Sequence, residues 1–244
     1  MMIEDNKYKI SVITAVYNAE SCIQNLIESL RNQQDKDFEW VVVDGASTDR
    51  TLEILKTIND LTIKIISEPD FGIYDALNKG IKFCSGEYYL VAGADDILFP
   101  NAINSYKIAI QNDISLITAT IFKGGRKLMR RNGPSWIYGQ FHWISDHALG
   151  TLIKKELHSK YGLYSRKFPI AADQLFIKNC CQNGEKVKKI ECAVGEFGCY
   201  GVSSVDSIGT CTEFFRVQML TERYKWVQYI LFILKLAKKL LRSK

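Results

Sequence analysis

Short apolar runs alternate with longer amphipathic segments along the first half of the chain. The runs are brief and rich in valine, isoleucine and tyrosine, which favours buried strands over helices. Between them, apolar residues recur at helical spacing. The predicted strands are residues 10–16, 38–43, 62–66, 88–91 and 115–120. The predicted helices are residues 19–34, 51–58, 72–84 and 100–111. This alternation predicts an α/β fold with a mainly parallel sheet flanked by helices.

The pattern loosens after residue 122, where glycine pairs and an Asn-Gly-Pro sequence signal turns. Further along, residues 149–153 read as a strand and residues 171–181 as a helix. Residues 187–197 look like a strand, a turn and a second strand. Regular elements are therefore harder to read from the second half of the chain.

Composition narrows the class of protein. A chain of 244 residues with 47% hydrophobic residues can bury the core of one large domain or two small ones. Its seven cysteines are odd in number and form no Cys-x-x-Cys pair, which indicates reduced thiols in the cytosol and neither a zinc site nor a disulfide framework. Residues 1–5 lack the basic and apolar regions of a secretion signal.

The net charge of +5 is concentrated near the C-terminus. Residues 221–244 carry seven basic side chains and one acid, so the rest of the chain is close to neutral, which argues against a nucleic-acid-binding surface there. Within this tail, Lys235, Lys238, Lys239 and Arg242 share one helical stripe, and leucines lie off it. Three interpretations are open: a helix lying on an anionic membrane surface, which we favour, a helix packed on the body, or a dimer contact.

Polar clusters follow three of the first four predicted strands: Tyr17-Asn18, the segment 44–49, and Asp95-Asp96. The carboxyl ends of parallel strands share one edge of a sheet, so these clusters can converge on one ligand. Two adjacent carboxylates repel each other, and a divalent cation that bridges to a phosphate would relieve the repulsion. The plainer interpretation of Asp95-Asp96 is a solvated acidic turn.

The segment 68–80 lies between these clusters and places Asp75, Asn78 and Lys79 on one helix face. This face is either part of the site or a solvated helix surface. No strand is followed by the glycine-rich dinucleotide fingerprint or by the P-loop signature, which argues against a dehydrogenase or a nucleoside triphosphatase.

Four segments in register carry a resemblance to a known family: residues 12–18 (VITAVYN), 43–49 (VDGASTD), 68–80 (EPDFGIYDALNKG) and 94–96 (ADD). They resemble the family 2 glycosyltransferases of GT-A fold. Residues 147–150, 170–173 and 201–203 resemble the family more loosely. The resemblance implies a transferase domain over residues 1–210, with a nucleotide-sugar-binding half (1–120) and an acceptor-side half (121–210), followed by a C-terminal amphipathic helical tail (211–244).

The resemblance also implies roles for single residues. Asp173 would be the general base that deprotonates the acceptor hydroxyl, although its position at a helix start also suits an N-cap. Asp96 would hold the Mn²⁺ or Mg²⁺ that bridges the donor diphosphate. His147 could bind acceptor, phosphate or metal, or could be purely structural. The implied donor-binding residues are Thr14, Tyr17, Asp44, Asp70, Gly72, Tyr74, Asp75, Asn78, Lys79 and Asp95.

Two departures from the family's pattern bear on these roles. Many members of the family that the chain resembles carry a second acid where Gly45 stands, so we expect base recognition to differ in this chain. The Gln-x-x-Arg-Trp motif of processive polysaccharide synthases is missing, which predicts transfer of one sugar per encounter.

Taken together, the resemblance predicts an inverting, metal-dependent transferase of the hexosyltransferase type. It would move a sugar from a nucleotide-sugar, expected to be UDP-linked, to a glycan acceptor that is expected to be lipid-linked. The expected setting is bacterial surface-polysaccharide assembly, O antigen included, on the cytoplasmic face of the membrane. The alternatives are a sugar-nucleotide pyrophosphorylase and a catalytically silent glycan-binding or scaffold subunit.

Overall fold

The structure is a computed structural model that describes residues 9–145, 147–198 and 206–242. A nine-stranded sheet lies at its centre, with helices on both faces. Its strands are β1 (Ile10–Val16), β2 (Glu39–Asp44), β3 (Ile63–Ser67), β4 (Tyr88–Val91), β5 (Ile97–Leu98), β6 (Leu116–Lys123), β7 (Arg126–Leu128), β8 (Thr151–Lys154) and β9 (Val187–Glu196). The helices are α1 (Ile23–Arg31), α2 (Thr51–Lys56), α3 (Ile73–Phe83), α4 (Ala102–Ala109), α5 (Ser135–Tyr138), α6 (Leu157–Tyr161), α7 (Ala172–Gln182), α8 (Ser207–Thr221) and α9 (Lys225–Arg242).

The first half of the chain forms the parallel part of the sheet, in the order β3-β2-β1-β4. Strands β1 and β2 are buried along almost their whole length, as expected for strands covered on both faces. The predicted α/β architecture with a mainly parallel sheet is confirmed, and β1 and β4 have the predicted bounds. The carboxyl ends of these strands consequently lie along one edge.

Antiparallel pairs are confined to the second half of the sheet, where β8 joins β4 to β6, β5 pairs with β9 and β7 pairs with β6. Strand β9 runs parallel to β6 from Val187 to Glu196. The strand–turn–strand predicted for residues 187–197 is therefore wrong. The pairing of β9 with β6 shifts register between Thr118 and Ile121 of β6. This irregularity lets β9 continue as one strand past the position where a turn is predicted.

Two hydrophobic cores fill the space above and below the sheet. One contains Trp40 and packs β1 and β2 against α1 and α4. The other contains Tyr89 and packs the opposite face against α3 and α7. Because Ile13 belongs to the second core and its neighbour Val12 to the first, β1 alternates between them as a strand must.

Helix α8 lies against α7 and spans residue 211, where the tail is expected to begin. A fully buried lysine, Lys178 of α7, joins the two helices through Glu222 at 2.5 Å and through Gln218. Helix α9 packs on α8 through the stacked rings of Phe215 and Phe232, whose centroids are 4.5 Å apart. Within the described ranges, every helix is too short or too polar to cross a bilayer.

Candidate active site

Two acidic side chains follow β4, at the edge where the parallel strands end. Asp96 is 1% exposed, and its carboxylate accepts hydrogen bonds from the backbone N–H of Gly93 (2.7 Å) and of Gly198 (3.0 Å). Burial raises the pKa of Asp96, while its backbone donors act in the opposite direction. Asp95 lies so close to Gly198 that a Cβ at that glycine would overlap its carboxylate. The acid pair is thus held by a tight turn and is not a solvated surface feature.

His147 lies beside Asp96 and within electrostatic range of the predicted base, Asp173. Its Nδ1 is 3.9 Å from Asp96 Oδ2 and accepts a hydrogen bond from the backbone N–H of Leu149 at 3.3 Å. Its ring stacks on Phe197, with centroids 4.3 Å apart and planes inclined by 5°. A positive charge on His147 would lower the pKa of both Asp96 and Asp173. The imidazole therefore links the two carboxylates electrostatically.

Asp173 lies in the first turn of α7, whose N-cap is Ala171, so it is not the N-cap of this helix. The Tyr74 hydroxyl is 2.7 Å from Asp173 Oδ1 and 2.9 Å from the carbonyl oxygen of Ile170. Burial raises the pKa of Asp173, and the hydrogen bond from Tyr74 opposes that rise. A carboxylate with a raised pKa is a better proton acceptor, and Tyr74 fixes where it points.

The polar face of α3 is bound to the surrounding protein. Asp75 forms an ion pair with Arg166, and Lys79 contacts Glu68 at 2.9 Å. Asn78 makes two hydrogen bonds to the backbone of Tyr164, one to the carbonyl oxygen and one from the N–H, both at 2.9 Å. These two bonds hold the segment that follows α6 against helix α3. Asp75, Asn78 and Lys79 all have partners within the protein, and Asn78 has little polar capacity left for a donor.

At the carboxyl ends of β1 and β2, the predicted donor-binding residues differ in accessibility. Thr14 is fully buried and its hydroxyl accepts the Trp40 indole N–H at 2.9 Å, so its side chain is withheld from solvent. Tyr17, in contrast, is 64% exposed. Asp44 is buried and accepts the hydroxyls of Ser47 (2.5 Å) and Ser67 (2.7 Å). An incoming base would have to compete with these serines for the Asp44 carboxylate.

Gly45 and Gly72 show why small residues stand near Asp70. A Cβ at Gly45 would come 2.6 Å from Asp70 Oδ2, so an acid at position 45 would displace Asp70. Asp70 in turn accepts the backbone N–H of Gly72 at 2.8 Å. Gly72 is the N-cap of α3. Its backbone has φ +102° and ψ 175°, a conformation that is essentially restricted to glycine. The predicted position Gly72 is thus explained by backbone geometry.

The structure brings the pair Asp95-Asp96 close to His147, Tyr74 and Asp173, which come from distant parts of the sequence. Sequence analysis did not identify Phe197 and Gly198 as site residues. Their position directly after a strand end could have indicated this role, because the other site residues also follow strand ends. Sequence analysis also missed Arg166, for which the sequence carries no signal. Residues 201–203, which resemble the family loosely, lie outside the described residues.

Asp95, Asp96 and His147 are hard or borderline ligands that suit Mn²⁺ or Mg²⁺ in chemistry. In the described part of the chain, however, no group of three or more His, Cys, Asp or Glu side chains is arranged to hold a metal ion. Such an ion would therefore need further oxygen ligands from another molecule, and a diphosphate carries them.

Comparison with known proteins identifies the fold and the family. The chain is 27% identical over 219 residues to a "PGL/p-HBAD biosynthesis glycosyltransferase" of Mycobacterium tuberculosis, with 80% of each chain covered. Its fold is that of Staphylococcus aureus TarS 1–349 in complex with UDP-GlcNAc (TM-score 0.70, 20% identity, 92% of this chain and 70% of that one).

The fold is also that of the mannosyltransferase PcManGT from Pyrobaculum calidifontis in complex with GDP-Man and Mn²⁺ (TM-score 0.67, 19% identity, 87% of this chain and 64% of that one). The sequence profile described as "Glycosyl transferase family 2" matches residues 11–167, more than half of the chain. The chain therefore belongs to glycosyl transferase family 2.

Proposed function

We propose that this family 2 glycosyltransferase inverts the anomeric centre as it moves a single hexose from a UDP-sugar to a glycan hydroxyl. The observation that supports the proposal most directly is that the buried Asp96 and Asp173 are both within electrostatic range of one residue, His147. In this proposal Asp96 acts on the side of the leaving diphosphate and Asp173 takes the acceptor's proton. A binding or scaffold subunit would not need both.

In this scheme Asp173 accepts the proton of the attacking hydroxyl, and Tyr74 holds the carboxylate in place. The acceptor oxygen forms a bond to the anomeric carbon as the bond from that carbon to the diphosphate breaks. One direct displacement from the opposite side inverts the configuration. The elevated pKa of Asp173, which burial causes, suits a group that must bind a proton during the reaction.

Asp96, together with oxygen ligands from the donor diphosphate, would hold a divalent metal ion, which when bound would stabilise the negative charge that develops on the leaving diphosphate. The structure of PcManGT contains Mn²⁺ and that of TarS contains a UDP-sugar, and both facts support this part of the proposal. Asp44, Asp70 and the exposed Tyr17 are proposed to recognise the nucleotide.

We also propose a lipid-linked acceptor in surface-polysaccharide assembly, reached from the cytoplasmic face of the membrane. Helix α9 supports this, because six large apolar side chains on it are at least half exposed: Trp226, Tyr229, Ile230, Ile233, Leu234 and Leu241. An apolar helix face of this kind suits the boundary between lipid headgroups and acyl chains.

Thermal melting of the full chain with UDP, GDP, CMP or NAD, each with and without Mn²⁺, tests the donor site. At about a hundredfold excess over Kd, a ligand specific for the native state should raise the melting temperature by roughly 5 °C. We expect the rise with UDP and Mn²⁺ together. Asp96→Asn should abolish it, whereas Asp113→Asn, a matched change at a surface acid, should retain it.

A rise with GDP alone would keep the transferase but change the donor. If no nucleotide shifts the melting temperature, the silent-subunit alternative replaces this proposal. Asp173→Asn separates binding from chemistry, because it should leave the UDP shift intact while it removes sugar transfer.

A further inference from the structure

The turn that leads into α7 carries the predicted base, and a carboxylate from α8 holds this turn. Glu213 is 7% exposed, and its Oε2 accepts the backbone N–H groups of Ile170 and Ala171, each at 2.9 Å. Ala171 is the N-cap of α7, and Asp173 follows it in the first turn of that helix. The carboxylate of Glu213 therefore lies in front of a helix N-terminus, where the backbone dipoles favour a negative charge.

Helix α3 holds the same turn through a different group. The Tyr74 hydroxyl lies 2.9 Å from the carbonyl oxygen of Ile170 and 2.7 Å from Asp173 Oδ1. The N–H of Ile170 is thus bound by Glu213 and its carbonyl group by Tyr74, so side chains from two helices fix the backbone of one residue. Because Ile170 lies three residues before Asp173, a shift of this turn would move the base relative to Tyr74.

Helix α8 is anchored to the body by contacts other than that of Glu213. Val217, one turn further along α8, is fully buried and belongs to the same hydrophobic core as Phe176 of α7. The Arg216 guanidinium lies over the ring of Phe168, 4.7 Å from its centroid, and so adds a contact to the segment before the base. Packing therefore sets the position of Glu213, and its carboxylate can act as a fixed support.

We infer that Glu213 is a positioning residue for sugar transfer, which together with Tyr74 fixes the turn that carries Asp173. The inference rests on the proposed transferase function, because Asp173 acts as a base only in that scheme. It also gives the segment after residue 210, which sequence analysis separates from the transferase domain as a tail, a role in the active site. Since Phe215 of the same helix stacks on Phe232 of α9, helix α8 connects the base to the proposed membrane helix.

Steady-state kinetics of the full chain test this role, with UDP-glucose and UDP-N-acetylglucosamine as donors, water as the acceptor and release of UDP as the readout. Glu213→Ala should lower kcat about a hundredfold, the cost of a displacement of about 1 Å at the reacting group. The KM for the donor and the affinity for UDP should stay within about twofold, because the donor-binding residues are unchanged. Glu213→Gln keeps an oxygen that can accept both N–H groups and should retain most of the wild-type rate.

Glu185→Ala is the matched control, because Glu185 follows the opposite end of α7 and accepts hydrogen bonds from Lys160 and Tyr161. It should lower the melting temperature without changing kcat. Glu213→Asp is a second variant that serves if the alanine variant does not fold. It keeps the charge, but its carboxylate is one methylene shorter, so kcat should fall about tenfold. Wild-type kcat in Glu213→Ala or Glu213→Asp, or equal losses in Glu213→Ala and Glu213→Gln, would overturn the inference.

A measurement without substrate separates positioning from a general loss of structure. The carboxyl ¹³C signal of Asp173, identified as the one that Asp173→Asn removes, reports its pKa in each variant. Glu213→Ala should raise this pKa by about half a pH unit or more relative to Glu213→Gln. Both variants lose the same charge, but only the alanine variant loosens the hydrogen bond from Tyr74. The other groups that act on Asp173, among them His147 and Tyr164, are the same in both, so identical pKa values would contradict the inference.

Failure of this inference and failure of the proposed function give different results. If the wild type releases UDP and Asp173→Asn does not, while Glu213→Ala is fully active, the transferase proposal stands and the inference falls. If the wild type neither binds UDP nor releases it from a donor, the proposed function falls, and the role of Glu213 in transfer falls with it.

Discussion

At the scale of single residues, the hydroxyl of Tyr74 is the feature that sets Asp173 apart from an ordinary helix-start acid. It donates to the carboxylate from α3, an element on the donor side of the site. The charged form of Asp173 is favoured by this bond and disfavoured by burial. The proton affinity of the proposed base therefore depends on an atom that sequence analysis assigned to the donor pocket.

Tyr74→Phe should raise the pKa of Asp173, because it removes a hydrogen bond that favours the charged carboxylate. The base would then lose its charge at a higher pH, so the acid limb of the kcat/KM profile should move up by about one pH unit, equivalent to about 1.4 kcal/mol. The measurement is a pH profile of sugar transfer. Tyr88→Phe, which removes a hydroxyl that donates to the Ile114 carbonyl, is the control.

An unchanged acid limb in Tyr74→Phe, together with an unchanged profile in the control, would show that Asp173 does not set the limb. A fall in rate at every pH without a shift would point to a structural role of Tyr74 alone.

The residues of the site differ in how far the sequence could predict them. Asp95, Asp96 and Asp173 are charged and follow apolar stretches, so pattern and family resemblance both pointed to them. The stacking of His147 on Phe197 could not be predicted, because it depends on the path of β9 beside β6. The burial of Thr14 beside Trp40 likewise follows from which face of β1 meets the core.

At the scale of elements, α7 and α8 are joined by a buried ion pair. Lys178 is fully buried, burial lowers its pKa, and Glu222 opposes that effect. A buried pair stabilises little overall but is costly to break from one side. Since α7 also carries Asp173, the pair helps to hold the end of α8 against the helix of the proposed base.

Glu222→Gln should lower the free energy of unfolding by about 3 kcal/mol, because it leaves the Lys178 charge without a counterion. The double variant Lys178→Met with Glu222→Leu should regain most of that loss, since it removes both charges. Chemical denaturation of the wild type, of Lys178→Met, of Glu222→Leu and of the double variant measures the coupling. Additive losses would show that the two side chains do not interact.

The elements also show where sequence patterns stop being informative. The bounds predicted for β1 and β4 agree with the structure, because each strand is a continuous apolar run that is buried and ends at a polar turn. The amphipathic pattern of α9 shows that its faces differ, but not which face meets the body. That choice depends on Arg131 and the aromatic segment, which are distant in sequence.

At the scale of the whole molecule, charge and apolar surface are segregated on α9. Ile233 and Leu234 are 63% and 60% exposed, so replacing both by serine should leave the melting temperature unchanged. Vesicle binding should weaken about tenfold or more, because two apolar side chains no longer enter the bilayer interface. Sedimentation with phosphatidylcholine and phosphatidylglycerol vesicles measures this.

Ile108→Ser is the matched control, because Ile108 is 75% exposed on α4, an element outside the proposed membrane face. Equal binding by the control, the double-serine variant and the wild type would exclude α9 as the membrane contact. A lower melting temperature in the double-serine variant would instead show that the face is covered in solution.

The order of strands in the sheet has a consequence for how the chain is made. Strand β4 has β8 as its outer neighbour, and β9 is inserted between β6 and β5. The edge of β4 therefore stays open during synthesis until β8 has emerged, and the sheet cannot close before Glu196. Such long-range pairing folds slowly and leaves unpaired edges exposed. A nascent chain of this enzyme should consequently depend on chaperones for most of its translation, and its two halves should not be separable as independent folding units.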